Sequence, residues 1–388
     1  MLKLHGTPGS LYTGKVRSYL IKQGIQFENR AAGDSRFRDE IVPKIGRWII
    51  PVLELPNGEF LQDSSAIIER LELDYNERWP TVPVTPRHQL IGHLFELFGG
   101  EGLLRPAMHY RWNFDDTNQP FIANDFIGGL ASVNADLSEK KAIFQFAAQR
   151  MRKAMRSFGV SSDSIPQIES AYEQFLDLFD AHLEGSPYLL GGRPTIGDYG
   201  LIASLYAHLG RDPVPAHLMK RRAHRVWRWV ERMNSTDLDS GEYGWPEADL
   251  FSDDGVPDTL KALMRFIAED YLPEVRAYVG FANSWLAERP SLEPMTSGLD
   301  RQSERTIGQV LFEWRGVTIE VSVMPYRLWL LQKVQDTISN QSAGEKTELT
   351  DLLSETGLAE IATLTTTRRV ERVNQLEVWG TPAVASVL

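Results

Sequence analysis

Cysteine is missing from all 388 residues. That excludes disulfides, thiolate metal ligands and any thiol chemistry carried by the protein itself. Long apolar runs are missing too. No stretch approaches the roughly 20 residues of a bilayer-spanning helix, so no membrane association is expected. Lys3 is followed by no continuous apolar segment, so no secretory signal is expected and the cytoplasm is the expected compartment. Positive charge is in deficit: 41 Lys and Arg stand against 52 Asp and Glu, a net charge of −11. Such a chain has no bulk attraction for nucleic acid, and no nucleic-acid partner is expected. The stretch KRRAHRVWRWVERM, Lys220 to Met233, is a local exception. Val226, Trp229, Val230 and Met233 recur in it at helical spacing, so it reads as a packed helix with a solvated basic face. His88 with His93, and His217 with His224, lack the i, i+4 pairing of a helical metal site, and no metal is expected. Internal repeats and low-complexity tracts are also missing.

What is present suggests roughly two or three domains. The apolar fraction of 42% is ordinary and supports a sizeable core. The segment WPTVPVTP, Trp79 to Pro86, carries three prolines and reads as a linker. It closes a first domain at residues 1–82. Long helical patterns follow over 83–290: Arg87 to Phe114, bent near Gly99, Gly100 and Pro106; Ile165 to Gly185; and Asp258 to Glu288. Residues 115–164 form an insertion within this region. From about Pro290 the pattern changes. QVLFEWRGVTIEVSV alternates around Arg315-Gly316 and predicts a β-hairpin, with a helix following from about Pro325 to Ile338. Residues 291–388 read as an α+β extension that packs on the helical domain of the same chain.

Two stretches of the first domain carry chemistry. In GTPGSLYTGKVRSYL, Gly6 to Leu20, a short strand turns into a helix whose apolar positions are Val16, Tyr19 and Leu20. Ser10 stands at the helix start. Its hydroxyl can cap the helix, or it can join the helix N-terminus in holding an anion. In IIPVLELPNGEFLQDSSAIIERLELDY, Ile49 to Tyr75, two short strands flank a turn. Asp63, Ser64 or Ser65 then caps a helix with Ile67, Ile68 and Leu71 inward. Pro51 at a strand start suits a cis Ile50–Pro51 peptide that leaves the Ile50 backbone outside the ladder.

The order β-α-β-α-β-β-α, the helix-start Ser, the PVL strand and the DS helix start together resemble the glutathione transferase superfamily. SPYLLGGRPTIGDYGLIASLYAHL, Ser186 to Leu209, is similar to that family's GG-x-P-T-x-x-D segment, with Thr195 and Asp198 as a capping box. Larger bacterial members with a C-terminal extension are similar in organisation. The resemblance implies a thioredoxin-like α/β N-terminal domain, an all-α glutathione transferase C-terminal domain and an α+β extension. It implies glutathione as co-substrate and a homodimer. PGSLYTGKVR has the phase of the family's serine or cysteine motif, so Ser10 is the implied thiolate-stabilising residue. Tyr12 is the runner-up, and Thr7 and Thr13 are weaker candidates. SLYT replaces a redox Cys-x-x-Cys, which excludes a mixed disulfide with the protein. The Ile50 backbone beside Pro51 is implied to pair with the cysteinyl unit. Asp63 and Ser64 are implied to take the γ-glutamyl end. Lys44 and Arg47 are both open for the glycyl carboxylate. Met108, His109, Tyr110 and Trp112 are candidate walls for an apolar electrophile, with core packing the competing reading. The implied activity is glutathione thiolate attack by conjugation, dehalogenation or thiolytic ether cleavage. A non-catalytic binding or scaffold protein of the same fold is the alternative.

Overall fold

The computed structural model describes residues 1–75, 78–244 and 248–382. Leu2 and Leu4 alternate inward along β1 (Leu2–Gly6), which runs parallel to β2 (Phe27–Ala31). The crossover between them is α1 (Leu11–Gln23). It ends at Gly24, whose φ of +71° suits a left-handed cap. A short α2 (Val42–Ile45) precedes β3 (Val52–Glu54), which lies antiparallel to β1, with β4 (Phe60–Gln62) beside it. The mixed sheet has the order β2-β1-β3-β4 and is closed by α3 (Ser64–Asp74). Val16, Tyr19 and Leu20 of α1 share one buried core with Leu4, Leu53 and α3's Ile67, Ile68 and Leu71. The polar side of α1 is buried as well. Ser18 donates to the Met233 carbonyl at 2.6 Å and Lys22 to the Tyr188 hydroxyl at 2.8 Å, which ties the first domain to the second.

The second domain contains α4 (Pro86–Leu97), α5 (Leu104–Trp112), α6 (Asp115–Leu130), α7 (Leu137–Ala154), α8 (Ile165–His182), α9 (Ile196–Ala207), α10 (Pro213–Arg222), α11 (His224–Met233), α12 (Asp258–Asp270) and α13 (Leu272–Ala287). A wide turn over Phe98–Gly102 separates α4 from α5, where the sequence predicts a bend. A Cβ on Gly99 would stand 2.4 Å from the Gly200 carbonyl carbon, so that crossing admits no side chain. The run Asp258 to Glu288, read as one helix, is two. It breaks at Tyr271 because Pro273 crowds the preceding turn and offers no N–H. The basic stretch is two helices also, and α8 covers part of its charge. Arg222 pairs with Glu173 and Asp177, and Arg225 with Asp180.

The extension holds β5 (Gly308–Trp314), β6 (Val317–Val323), α14 (Pro325–Ser339), α15 (Ala343–Glu355), β7 (Arg368–Val373) and β8 (Leu376–Pro382). The β5–β6 turn has φ of 47° at Arg315 and 80° at Gly316, as a tight hairpin requires. β7–β8 forms a second hairpin that the sequence reading lacks. Its turn, Asn374-Gln375, carries positive φ without a glycine. α14 lies along α4, and β5 lies against α13. The extension also reaches the first domain: Gln375 Nε2 donates to the Phe60 carbonyl at 3.0 Å. No helix among the described residues is long and apolar enough to cross a membrane.

Candidate functional site

The loop from β1 to α1 brings Ser10 to the helix N-terminus. Its backbone is extended, and Oγ accepts from the Thr13 amide at 3.3 Å. The hydroxyl proton of Ser10 has no acceptor among the described residues. The loop itself is held from the helical domain. Buried Arg111 donates to the Gly9 carbonyl at 2.9 Å while pairing with Asp212 at 2.7 Å. A Cβ on Gly9 would meet Asp125 Oδ2 at 2.2 Å, and one on Gly129 would meet Thr7 Cγ2 at 2.5 Å. Both partners lie on α6, so the insertion covers this loop. Thr7 is part of that contact. Thr13 packs against Gly6, its hydroxyl buried without a partner.

Tyr12 is engaged elsewhere. Its phenol donates to Glu101 at 2.7 Å and approaches the Gly100 carbonyl at 3.3 Å. Burial and the Glu101 carboxylate push its pKa well above the ordinary value. A phenol so placed keeps its proton for Glu101.

The second helix start is α3. Asp63 has φ +84° and caps the helix, with Oδ1 accepting from the Ser65 and Ala66 amides at 3.0 Å each. That leaves the Ser64 hydroxyl, 1% exposed, without a partner. Capping therefore accounts for Asp63 and not for Ser64. Ser65 belongs to a different assembly: Lys15 donates to its Oγ at 2.8 Å and to Glu96 at 2.7 Å, joining α1, α3 and α4. Burial opposes the charge of Glu96, but Lys15, Lys333 and His93 outweigh it and hold the carboxyl well below its ordinary range. The Ile50–Pro51 peptide is cis, and the ladder register begins only at Val52.

Three of the expected groups have partners within the chain. Lys44 lies at the surface. It pairs with Glu40 at 3.2 Å and stands over the Phe60 ring. Arg47 is buried and already bound to the extension: Nη2 donates to the Gln375 carbonyl at 2.7 Å and to Glu377 at 3.3 Å. Met108, His109, Tyr110 and Trp112 are all buried inside the helical layer and form no open wall. Tyr110 stacks on Phe114 at 5.6 Å, His109 meets Glu169 at 3.0 Å, and Trp112 packs edge-on against Phe126. Helical spacing of apolar residues marks burial and cannot separate a core from a cleft.

The extension brings residues that the sequence reading missed. Arg372 stands 3.9 Å from Asp63 and pairs with Glu377 at 2.7 Å. Tyr326 reaches Ser65 at 3.4 Å. Arg327 donates to Glu101 at 2.9 Å and Glu274 at 2.7 Å. No local pattern marks these residues, because their contacts to Asp63, Ser65 and Glu101 each close over more than 200 positions of chain. Among the described residues, no three His, Asp or Glu side chains come together as a metal-binding set.

The first domain is a thioredoxin-like mixed sheet, with one serine at the start of α1 and another at the start of α3, and it adjoins a helical domain. Residues 4–79 match the model for the glutathione S-transferase N-terminal domain, and residues 162–232 match that for the C-terminal domain. The chain therefore carries an N-terminal and a C-terminal domain of the glutathione S-transferase type. No curated protein matches it significantly. Solved structures similar to it include a glutathione S-transferase from Rhodospirillum rubrum F11, 16% identical, covering 68% of this chain and 99% of that one with a TM-score of 0.39. The beta-etherase LigF from Sphingobium sp. strain SYK-6 is 16% identical, covering 60% and 94%, with a TM-score of 0.41. A glutathione S-transferase from Methylobacterium radiotolerans, in complex with glutathione sulfonate, is 20% identical, covering 66% and 99%, with a TM-score of 0.34. At these scores the likeness says nothing of substrate.

Proposed function

We propose that the chain binds glutathione and uses Ser10 to stabilise its thiolate for attack on an apolar electrophile. The observation that carries this is the unclaimed hydroxyl proton of Ser10 at the N-terminus of a 13-residue helix. Glutathione supplies the nucleophile; everything else is positioning and electrostatics. The Ser10 proton and the positive end of α1 both favour an anion at that point. Each pKa unit taken off the thiol is worth about 1.4 kcal/mol. Ser64 offers a buried, unpartnered hydroxyl at the N-terminus of α3, a fit for the γ-glutamyl carboxylate. Asp63 is the acceptor for the neighbouring amino group, and the Ile50 backbone is free for the cysteinyl unit. Conjugation, dehalogenation and thiolytic ether cleavage all begin with this attack.

The β7–β8 hairpin favours a second reading, a binding protein without turnover. Arg372 already stands beside Asp63, and the Gln375 carbonyl already occupies Arg47. Calorimetry with glutathione, followed by an assay over several electrophiles, separates the two. On the first reading Ser10→Ala retains the fold and loses about 10- to 1,000-fold in turnover. Full activity in Ser10→Ala together with its loss in Tyr12→Phe would move the role to Tyr12. Binding with no turnover on any electrophile would establish the second reading.

A further inference from the structure

The start of α3 is closed to solvent. Asp63 is 7% exposed, Ser64 1% and Ser65 0%. Residues of the extension stand on either side of Ser64. Arg372 Nη1 lies 3.9 Å from Asp63 Oδ1, and the Tyr326 hydroxyl lies 3.4 Å from Ser65 Oγ. The hairpin tip that carries Arg372, residues 372–377, continues along the same edge. Arg372 donates to the Gln62 carbonyl at 3.5 Å, and Gln375 Nε2 donates to the Phe60 carbonyl at 3.0 Å. Arg47 donates in turn to the Gln375 carbonyl at 2.7 Å and to Glu377 at 3.3 Å. A ligand that needs Ser64 has no path to it while this tip is seated.

Tip and base of the hairpin are held differently. At the base, Val370 and Trp379 are buried in the main core. The Val370 amide and carbonyl both bond to the Gln332 side chain at 2.8 Å, and the Trp379 backbone bonds to Met295 and Thr296. The tip is tied to the first domain by hydrogen bonds and ion pairs. Its two apolar residues, Val373 and Leu376, belong to neither hydrophobic core of the described residues. Lifting it uncovers little apolar surface, and water replaces the polar contacts that are lost. Asn374 and Gln375 carry φ of 48° and 68°, a region that glutamine does not favour, so the turn owes its shape partly to these ties. Arg372 keeps Glu377 at 2.7 Å, so the tip leaves with its own counter-charge. While seated, it sets a cation beside the carboxylate that the ligand's ammonium group requires.

We propose that the tip of the β7–β8 hairpin is an autoinhibitory lid on the start of α3. Arg372 holds the place of the ligand's ammonium group at Asp63, and the tip lifts about the Glu371–Val378 pair to admit the thiol peptide. This rests on the glutathione reading above. The free chain is mostly closed, and the measured affinity is the intrinsic one reduced by the open fraction. Loosening the tip therefore tightens binding, the opposite of what the loss of a ligand contact does.

The test is calorimetry with glutathione on the full-length wild type, Arg372→Gln and Gln375→Ala, with melting temperature checking the fold. Arg372→Gln removes the competing cation. Gln375→Ala releases the tip at Phe60 and leaves the charge at Asp63 unchanged, so it reports on the lid alone. Each variant should bind glutathione about 2- to 10-fold more tightly, the scale of one hydrogen bond removed from the closed state. Binding by the variants with none by wild type supports the lid in its strongest form. Unchanged or weaker binding in Gln375→Ala overturns it, and so does weaker binding in Arg372→Gln, which would make Arg372 a ligand contact. If wild type binds and neither variant binds more tightly, only the lid fails. If none of the three binds, the reading of the previous section fails and takes this one with it.

Discussion

Ser10 and Tyr12 are two residues apart on one helix start and meet opposite environments. Ser10 keeps a proton that no described residue takes, while the Tyr12 proton is given to Glu101. The same distinction between a group with and without spare capacity applies to the histidines. His182 lies at the end of α8 with Nδ1 2.9 Å from Thr259 Oγ1 and Nε2 2.9 Å from the Leu189 carbonyl. Burial pulls its pKa from 6.5 to about 4, against a small raising effect of the Leu189 carbonyl. The folded protein therefore holds it neutral. Above about pH 6.5 folded and unfolded chains are both neutral there, and the site adds no pH dependence. As pH falls from 6.5 towards 4, the unfolded chain takes up a proton that the fold refuses, and stability is lost. The full shift corresponds to about 3 kcal/mol. Urea unfolding of wild type and His182→Gln at pH 7 and pH 4.5 reads this directly. The stability advantage of wild type should shrink by about 2 kcal/mol at the lower pH, and a constant advantage would mean that the imidazole titrates normally.

At the scale of elements, α9 depends on one carboxylate. Asp198 is fully buried and accepts from the Thr195 amide at 2.9 Å, the Leu189 amide at 3.0 Å and Trp229 Nε1 at 3.0 Å. It thereby fixes the start of α9, the loop before it and α11 together. The Thr195 hydroxyl also donates to it at 3.1 Å, so Asp198→Ala would leave four buried donors without their acceptor, at about 1–3 kcal/mol each. The expected result is a loss of at least about 3 kcal/mol and a lower melting temperature with the Ser10 region unaltered. A variant that melts with wild type would show that water replaces the carboxylate. Helix starts of this kind were legible in the sequence because the signal is local: Thr195 and Asp198, Asp63 and Ser64, and Ser10 all stand within four residues of the groups they serve. The β5–β6 hairpin was legible for the same reason, through alternation around Arg315-Gly316. The β7–β8 hairpin was not, because its turn residues are Asn374-Gln375 and carry no glycine. Nor was the side to which Met108 or Tyr110 faces, since a buried core and an apolar cleft ask for the same residues. Arg327 and Arg372 look like ordinary charged residues until the chain brings them back to Glu101 and Asp63.

At the scale of the molecule, the extension is bound into the interior through charge. Arg327, 1% exposed on α14, bridges Glu101 at 2.9 Å and Glu274 at 2.7 Å. The remaining oxygen of Glu101 takes the Tyr12 proton, and the second oxygen of Glu274 takes Arg105. Two carboxylates and two guanidinium groups thus balance, and they join α1, α5, α13 and α14 where no water competes. A neutral cluster of this kind is costly to break because what remains is charged and buried. Arg327→Met should therefore destabilise the protein by about 3–5 kcal/mol, more than its lost packing would explain. Adding Glu101→Gln removes the surplus negative charge while leaving an acceptor for Tyr12. The double variant should then be more stable than the sum of the two single losses predicts, because the two sites share one charge balance. A double-mutant cycle in urea measures the difference, and strict additivity would mean that Arg327 acts through packing alone. Truncation after Glu288 removes Arg327 and Lys333 together. It leaves Glu101, Glu274 and Glu96 short of cations and strips the apolar face of α14 from α4. A chain cut there should aggregate or melt far below wild type, because buried Glu101 loses its guanidinium partner while Glu274 and Glu96 keep only Arg105 and Lys15.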